Sequence, residues 1–286
     1  MSYNTKSNAI GIKRFHLNQL LKYVVLIIIT MIVIVPLMII VLSAFKTLPE
    51  ISQMKPLSLP KKLYLGNFIE TFKKAKIILA LTNTFIIAGI SVVINVFLGA
   101  MTSYIISRFD FKGKKIVMAL FLVAMIIPFY TIEVARFGLI RDIHLYNTLF
   151  APILIYIGAD MMQIFVYKQY IDKVSVSLDE SAMIEGASYI TIFFKVIFPL
   201  VIPAAATLAI IKFVDITNDM YIPYLYIPSD KFRTLSTALM LFAGDRSIDW
   251  GSISACIIWV MIPTLTVYLF FQKYILAGIT AGAVKE

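Results

Sequence analysis

Two clusters of side chains in this 286-residue chain have types and spacings suited to chemistry. The first is Lys212-Phe213-Val214-Asp215-Ile216-Thr217-Asn218-Asp219, at the end of a long apolar run. Helical residues three and four apart share a face, so Lys212, Asp215 and Asp219 fall on one stripe. A charged group at membrane depth is costly and faces either a cavity or an opposite charge. The stripe therefore has two readings. It lines a path for a polar solute, hydrogen-bonding hydroxyls with the help of Asn218, or Lys212 pairs with Asp215 and serves only the helix. Asp160, Gln163 and Asn95 are weaker candidates for the same path. The second cluster is acidic: Ser177-Leu178-Asp179-Glu180-Ser181-Ala182-Met183-Ile184-Glu185-Gly186-Ala187-Ser188, followed by Val196-Ile197-Phe198-Pro199-Leu200. It reads as a short amphipathic helix, a break at Gly186 and a new apolar helix. An acidic helix held outside a membrane, in a basic protein, suits the docking of another protein. A local reading competes, because Ser177 and Glu180 have the Ser-x-x-Glu spacing of a capping box, in which Glu180 only satisfies backbone donors.

Other chemistries are poorly supplied. The chain has two histidines, His16 and His144, and one cysteine, Cys256. That rules out an intramolecular disulfide, a cysteine-based zinc site and bis-histidine haem ligation, and no His-Glu-x-x-His pair occurs. No Gly-x-x-x-x-Gly-Lys-Ser/Thr loop occurs either, so any ATP hydrolysis belongs to another chain. No nucleophile–base motif is visible, which argues against a membrane-embedded enzyme, and no metal or cofactor is expected on this chain. Lysine and arginine number 26 against 16 acidic residues, a net charge of +10. The lysines flank apolar runs, as at Lys112, Lys114 and Lys115, where they set orientation and meet anionic lipid. Nucleic-acid binding is not expected from that pattern.

The elements that must position these residues are helices in a bilayer. The chain is 60% hydrophobic, against about 45–50% for a soluble domain, and its mean hydropathy is +0.89. Several runs approach the ~20 residues needed to cross ~30 Å of hydrocarbon. They lack the alternation of barrel strands, so their backbones must satisfy themselves as helices. The expected fold is an all-α membrane protein of about six transmembrane helices. The spans fall near 20–45, 77–106, 116–131 (broken by Pro128), 147–170, 191–213 and 253–274, with polar segments at 46–76 and 215–250. Residues 1–19 form a cytoplasmic N-terminal segment and 20–286 one transmembrane domain. Six spans put both termini on one side, and the basic 112–115 turn makes that side cytoplasmic. The first run has no small-residue cleavage site and reads as an anchored helix. Tyr221, Tyr224 and Tyr226 suit an interfacial aromatic belt or stacking on a sugar or a docking protein. Pro128, Pro199 and Pro203 read as kinks tolerated in a bundle.

The acidic segment resembles the signature of membrane subunits of ATP-binding-cassette importers: Glu-Ala-Ala, three residues, Gly, nine residues, then Ile-x-Leu-Pro. Glu180, Ser181, Ala182, Gly186, Val196, Phe198 and Pro199 stand at those positions with the spacing intact. Serine replaces an alanine at 181, valine an isoleucine at 196 and phenylalanine a leucine at 198. Ser175 stands where relatives often have proline, which should loosen the start of the helix. Leu59-Pro60, Asn67-Phe68, Asn83-Thr84 and the tail at 277–285 look like carbohydrate importers of the maltose-permease second-subunit type. The resemblance implies a coupling helix at about 177–190 on the cytoplasmic side, in which Glu180, Ser181, Ala182, Gly186 and Pro199 meet an ATPase. It implies a bacterial cytoplasmic membrane protein that pairs with a related permease subunit. An ATPase dimer using ATP and Mg docks on the pair, and an external solute-binding protein delivers the solute. The implied cargo is a sugar or oligosaccharide. Glycerol phosphate or another polyol derivative is the alternative, but an anionic solute would want arginines in the path, and Arg136 and Arg141 fall in a loop. A free-standing secondary transporter would have to dimerise and would have no use for the 180–186 segment.

Overall fold

The computed structural model describes residues 6–243 and 249–283, with side chains over 19–243 and 249–272. The lysines before residue 19 and the 277–285 tail lie outside the described side chains, as do residues 244–248 of the second polar segment. The chain opens with α1 (Lys6–Ala44), whose stretch Gln19–Ala44 is apolar on every face, with side chains exposed along almost its whole length. A helix apolar all round has no water-facing side and belongs in hydrocarbon.

Two short helices follow in the first polar segment. In α2 (Leu48–Gln53) the Glu50 carboxylate accepts hydrogen bonds from the Thr47 and Lys61 amides, which hold it below its ordinary pKa. In α3 (Gly66–Lys74) the Asn67 amide donates to the Ala44 and Lys46 carbonyls, both at 2.9 Å, and so satisfies orphan acceptors at the end of α1. These elements and Phe242–Ile258 form one compact unit with α1, and Phe72–Leu241 with the chain from Trp259 onward forms another.

The second unit is organised on α4 (Ile77–Arg108). Gly99, Ala100 and Ser103 leave one stretch of it flat. A Cβ at Gly99 would lie 2.5 Å from the Gln163 side chain, so only glycine permits that approach. The third expected span is shorter than the sequence pattern suggests. Helix α5 (Lys114–Ile126) stops before Pro128, which lacks an amide donor. At Pro128 the chain bends by 103° into a 3₁₀ turn (Phe129–Ile132) that continues as α6 (Glu133–Asp142). Arg136 and Arg141, expected in a loop, are therefore helical. The fourth span is likewise two pieces, α7 (Phe150–Tyr156) and α8 (Met161–Ile171), bent by 50°.

Beyond these lie α9 (Val176–Ile184), α10 (Tyr189–Ile192) and α11 (Phe198–Asn218), with a π turn at Phe193–Ile197 before α11. Pro199 has no amide to offer the Lys195 carbonyl, and the Phe198 amide reaches back five residues to the Phe193 carbonyl. Then come α12 (Tyr221–Tyr226), α13 (Leu235–Ala238) and the long α14 (Trp250–Ala283). Among the described residues four helices can cross a bilayer alone, and each bent pair counted as one span raises the number to six.

Candidate functional site

The polar residues in the middle of the second unit are placed by the break between α7 and α8. The end of α7 leaves carbonyls without helical partners. Asn95 on α4 supplies the missing donor, reaching the Gly158 carbonyl at 2.7 Å and those of Tyr156 and Ile157 at 3.4 Å. Gln163 donates to the Asn95 side-chain oxygen at 2.8 Å, and Asp160 caps α8 by accepting from the Gln163 amide at 2.8 Å. Asn95 and Gln163 are buried, so both are spent on bridging the broken span, whereas Asp160 is exposed.

Beside this break is a cavity of about 210 Å³. Lys212, Asp215 and Asp219 of the predicted stripe all line it, with Tyr156, Phe129 and Arg136 opposite. No ion pair joins Lys212 to Asp215 among the described residues, although the charges of Lys212 and Asp160 both bear on Asp215. Asp219 is committed elsewhere. One oxygen accepts the Tyr156 hydroxyl at 2.8 Å and the other accepts the Tyr221 and Ile222 amides at 2.7 and 3.2 Å, which starts α12. Asn218 is exposed at the end of α11 and does not line the cavity.

Sequence reasoning missed Glu133, left Arg136 in a loop outside the path and gave Tyr226 to an aromatic belt or to stacking. Tyr226 does not belong to an aromatic belt: it is fully buried and donates to the Glu133 carboxylate at 3.0 Å. Beside the Glu133 carboxylate its phenol is raised above the ordinary tyrosine range, with burial the larger cause. Glu133, also buried, pairs with Arg136 at 2.6 Å, and the guanidinium lies 4.6 Å from the centre of the Phe129 ring. The only available signal was the i,i+3 spacing of Glu133 and Arg136 after Pro128.

Asn83 and Thr84 fasten the second polar segment to α4. The Asn83 amide donates to the Lys231 and Arg233 carbonyls, and the Thr84 hydroxyl accepts from the Leu235 amide at 3.0 Å. From Thr84 to Arg108 is 24 residues of one helix, about 36 Å at 1.5 Å each. The acidic helix α9 sits at the far end of that length.

At that end the acidic residues part company. Asp179 turns inward and accepts from Arg108 at 2.8 Å, with both side chains under 10% exposed, while Arg108 also donates to the Val174 carbonyl at 2.7 Å. Glu180 and Ser181 are exposed, whereas Ala182 is half-buried against the core. The capping box expected at Ser177 and Glu180 does not form. The N-cap is Ser175, whose hydroxyl accepts from the Ser177 amide, so Ser175 secures the start of the helix instead of loosening it. Gly186 ends the helix at φ +82°, with the Ala187 amide returning to the Ala182 carbonyl at 3.0 Å. Pro199 is exposed at the start of α11.

Long apolar helices and two broken spans, packed beside a cavity with polar lining, define a multi-pass helical membrane protein. Residues 95–281 match the family described as binding-protein-dependent transport system inner membrane component, and the chain belongs to that family. It is a permease component. It is 33% identical over 228 residues to the melibiose/raffinose/stachyose import permease protein of Bacillus subtilis (strain 168), covering 79% of this chain and 83% of the relative. A probable starch degradation products transport system permease protein of Thermoanaerobacterium thermosulfurigenes is 30% identical over 275 residues, 96% of this chain and 100% of the relative. A crystal structure of a bacterial ABC transporter involved in the import of the acidic polysaccharide alginate superposes with a TM-score of 0.80. It covers 96% of this chain and 99% of that chain at 19% identity, a likeness of fold.

Proposed function

We propose that this chain forms half of the translocation path of an ATP-driven importer for a sugar or oligosaccharide. A related permease subunit supplies the other half, and an external solute-binding protein delivers the cargo. ATP and Mg are used on a separate ATPase dimer. Relatives named for raffinose-type sugars and starch products support the carbohydrate reading. In this reading residues 20–286 are one transmembrane domain, both termini are cytoplasmic and α9 is the coupling helix. Cysteines placed in the 46–76 segment then react with an impermeant reagent from outside, and labelling of the 112–115 turn instead inverts the orientation.

One observation carries the coupling role. Helix α9 is locked inward by the Arg108–Asp179 pair, yet it leaves Glu180 exposed and, among the described residues, without a hydrogen-bond or ion-pair partner, beside exposed Met183 and Ile184. A carboxylate that is not needed as a cap is available to a basic partner surface. The test is charge reversal: Glu180→Lys lowers uptake and ATPase association, and a Lys/Arg→Glu change on the ATPase restores both. Normal uptake by both Gly186→Leu and Glu180→Lys refutes the coupling role.

A further inference from the structure

We infer that the cavity beside the α7–α8 break is a one-ring subsite that takes a neutral pyranose and turns away acidic ones, and that Glu133 sets this selectivity by holding Arg136 neutralised. The inference rests on the carbohydrate reading above and deepens it. A cavity of about 210 Å³, open on one side, has room for one sugar ring, and any further ring of a longer glycoside lies outside it. Its polar walls offer what a pair of neighbouring hydroxyls needs. Lys212 and the Arg136 guanidinium donate, Asp215 accepts, and the apolar faces of Phe129 and Tyr156 close the sides.

The charge balance decides which sugar. Two cations, Arg136 and Lys212, work against four carboxylates, Glu133, Asp160, Asp215 and Asp219. An arginine in a solute path would ordinarily welcome a carboxylate or phosphate through a bidentate contact. Here Glu133 already holds that guanidinium at 2.6 Å, from a position that the Tyr226 hydroxyl fixes at 3.0 Å. A uronate or sugar phosphate entering the cavity would meet Asp215 with, among the described residues, no free cation but Lys212 on its walls. A neutral ring uses the remaining N–H groups of Arg136 without competing for its charge. Arg136 is thus the donor, and Glu133 is a positioning residue that acts through it.

Matched probes test this directly: methyl galactoside with methyl galacturonide, and methyl glucoside with methyl glucuronide, each pair differing only at C6. Their binding is read by saturation-transfer NMR on the purified, assembled transporter without its binding protein. The wild type binds the neutral member of each pair in preference. Glu133→Gln releases Arg136 and raises the acid-to-neutral ratio by roughly tenfold or more, the scale of one charge-assisted hydrogen bond. Adding Arg136→Gln to it removes the gain. Should Glu133→Gln fail to assemble, Asp215→Asn at its exposed position removes a negative charge from the same cavity and must shift the ratio the same way. A wild type that prefers the acids overturns the inference. So does an unchanged ratio in both variants while neutral glycosides still bind, and that result leaves the carbohydrate reading standing. Absence of binding by every glycoside to the wild type overturns both.

Discussion

Replacing Asp179 with alanine isolates what fastens α9 to the bundle. Arg108 is 8% exposed and Asp179 4%, so the change leaves a guanidinium out of water with one carbonyl partner, Val174. Removing one member of a buried pair costs about 3–5 kcal/mol, and the surviving charged hydrogen bond offsets about 1.5–3 kcal/mol of that. At midrange the net local cost is about 2 kcal/mol. Swapping both partners for apolar residues, Arg108→Met with Asp179→Leu, removes both the attraction and the desolvation, and should come within about 1 kcal/mol of wild type. Amide hydrogen exchange of residues 176–184 in the assembled complex reads the local opening. At 1.36 kcal/mol per decade, Asp179→Ala speeds exchange there by about 30-fold, and the double variant by under about fivefold. If the proposed coupling holds, Asp179→Ala also hydrolyses ATP without proportionate uptake. Exchange that rises less than about threefold in Asp179→Ala, or as much in the double variant as in the single, refutes the reasoning.

Three further changes separate structure from transport. Gly186→Ala meets no atom within 4 Å, so only the φ of +82° opposes it. It costs about 1 kcal/mol and leaves uptake near normal, whereas Gly186→Leu abolishes uptake with the permease still assembled. Asn95→Leu orphans the carbonyls at the end of α7 and lowers the thermal midpoint of the purified complex, at a cost of about 1–3 kcal/mol. Lys212→Met or Asp215→Asn lowers uptake of a neutral sugar by roughly tenfold, one hydrogen bond to a charged group, with ATPase co-purification unchanged.

The legible parts of this protein are those that depend on runs and fixed spacing. Apolar runs of ~20 residues announced the long spans, and the i,i+3 and i,i+4 arithmetic placed Lys212, Asp215 and Asp219 on one cavity wall. The breaks were harder. Pro128 was visible, but a proline does not say whether a helix kinks slightly or turns by 103°, because the neighbours that accept the freed backbone groups decide it. The break before Asp160 had only faint local marks, Gly158 and the capping Asp160 itself, and Asn95, more than sixty residues away, donates to the stranded carbonyls. Asp219 and Asp215 look alike in sequence, and only the folded chain gives both oxygens of Asp219 to Tyr156, Tyr221 and Ile222. At α9 the sequence lumped three acids together. Burial separated Asp179, paired inward with Arg108, from exposed Glu180.

The attachments of α9 bear on how a push there could reach the cavity. One is the Arg108 pair at the end of α4, and α4 carries Asn95 thirteen residues earlier, about 20 Å along a single helix. Asn95 holds the carbonyl of Tyr156, whose hydroxyl is bonded to Asp219. The other attachment is covalent, through α10 and the π turn into α11, which carries Lys212 and Asp215. Phe193 in the π turn and Phe198 just beyond it pack near each other, with ring centres 5.8 Å apart, and Phe198 stacks on Phe97 of α4 at 4.7 Å. Thus the two routes are tied to each other near α9 and meet again at the cavity. If α9 is the coupling helix proposed above, its displacement passes to both walls of the cavity through these two connections together, and a variant that cuts one of them, such as Asp179→Ala, uncouples hydrolysis from uptake.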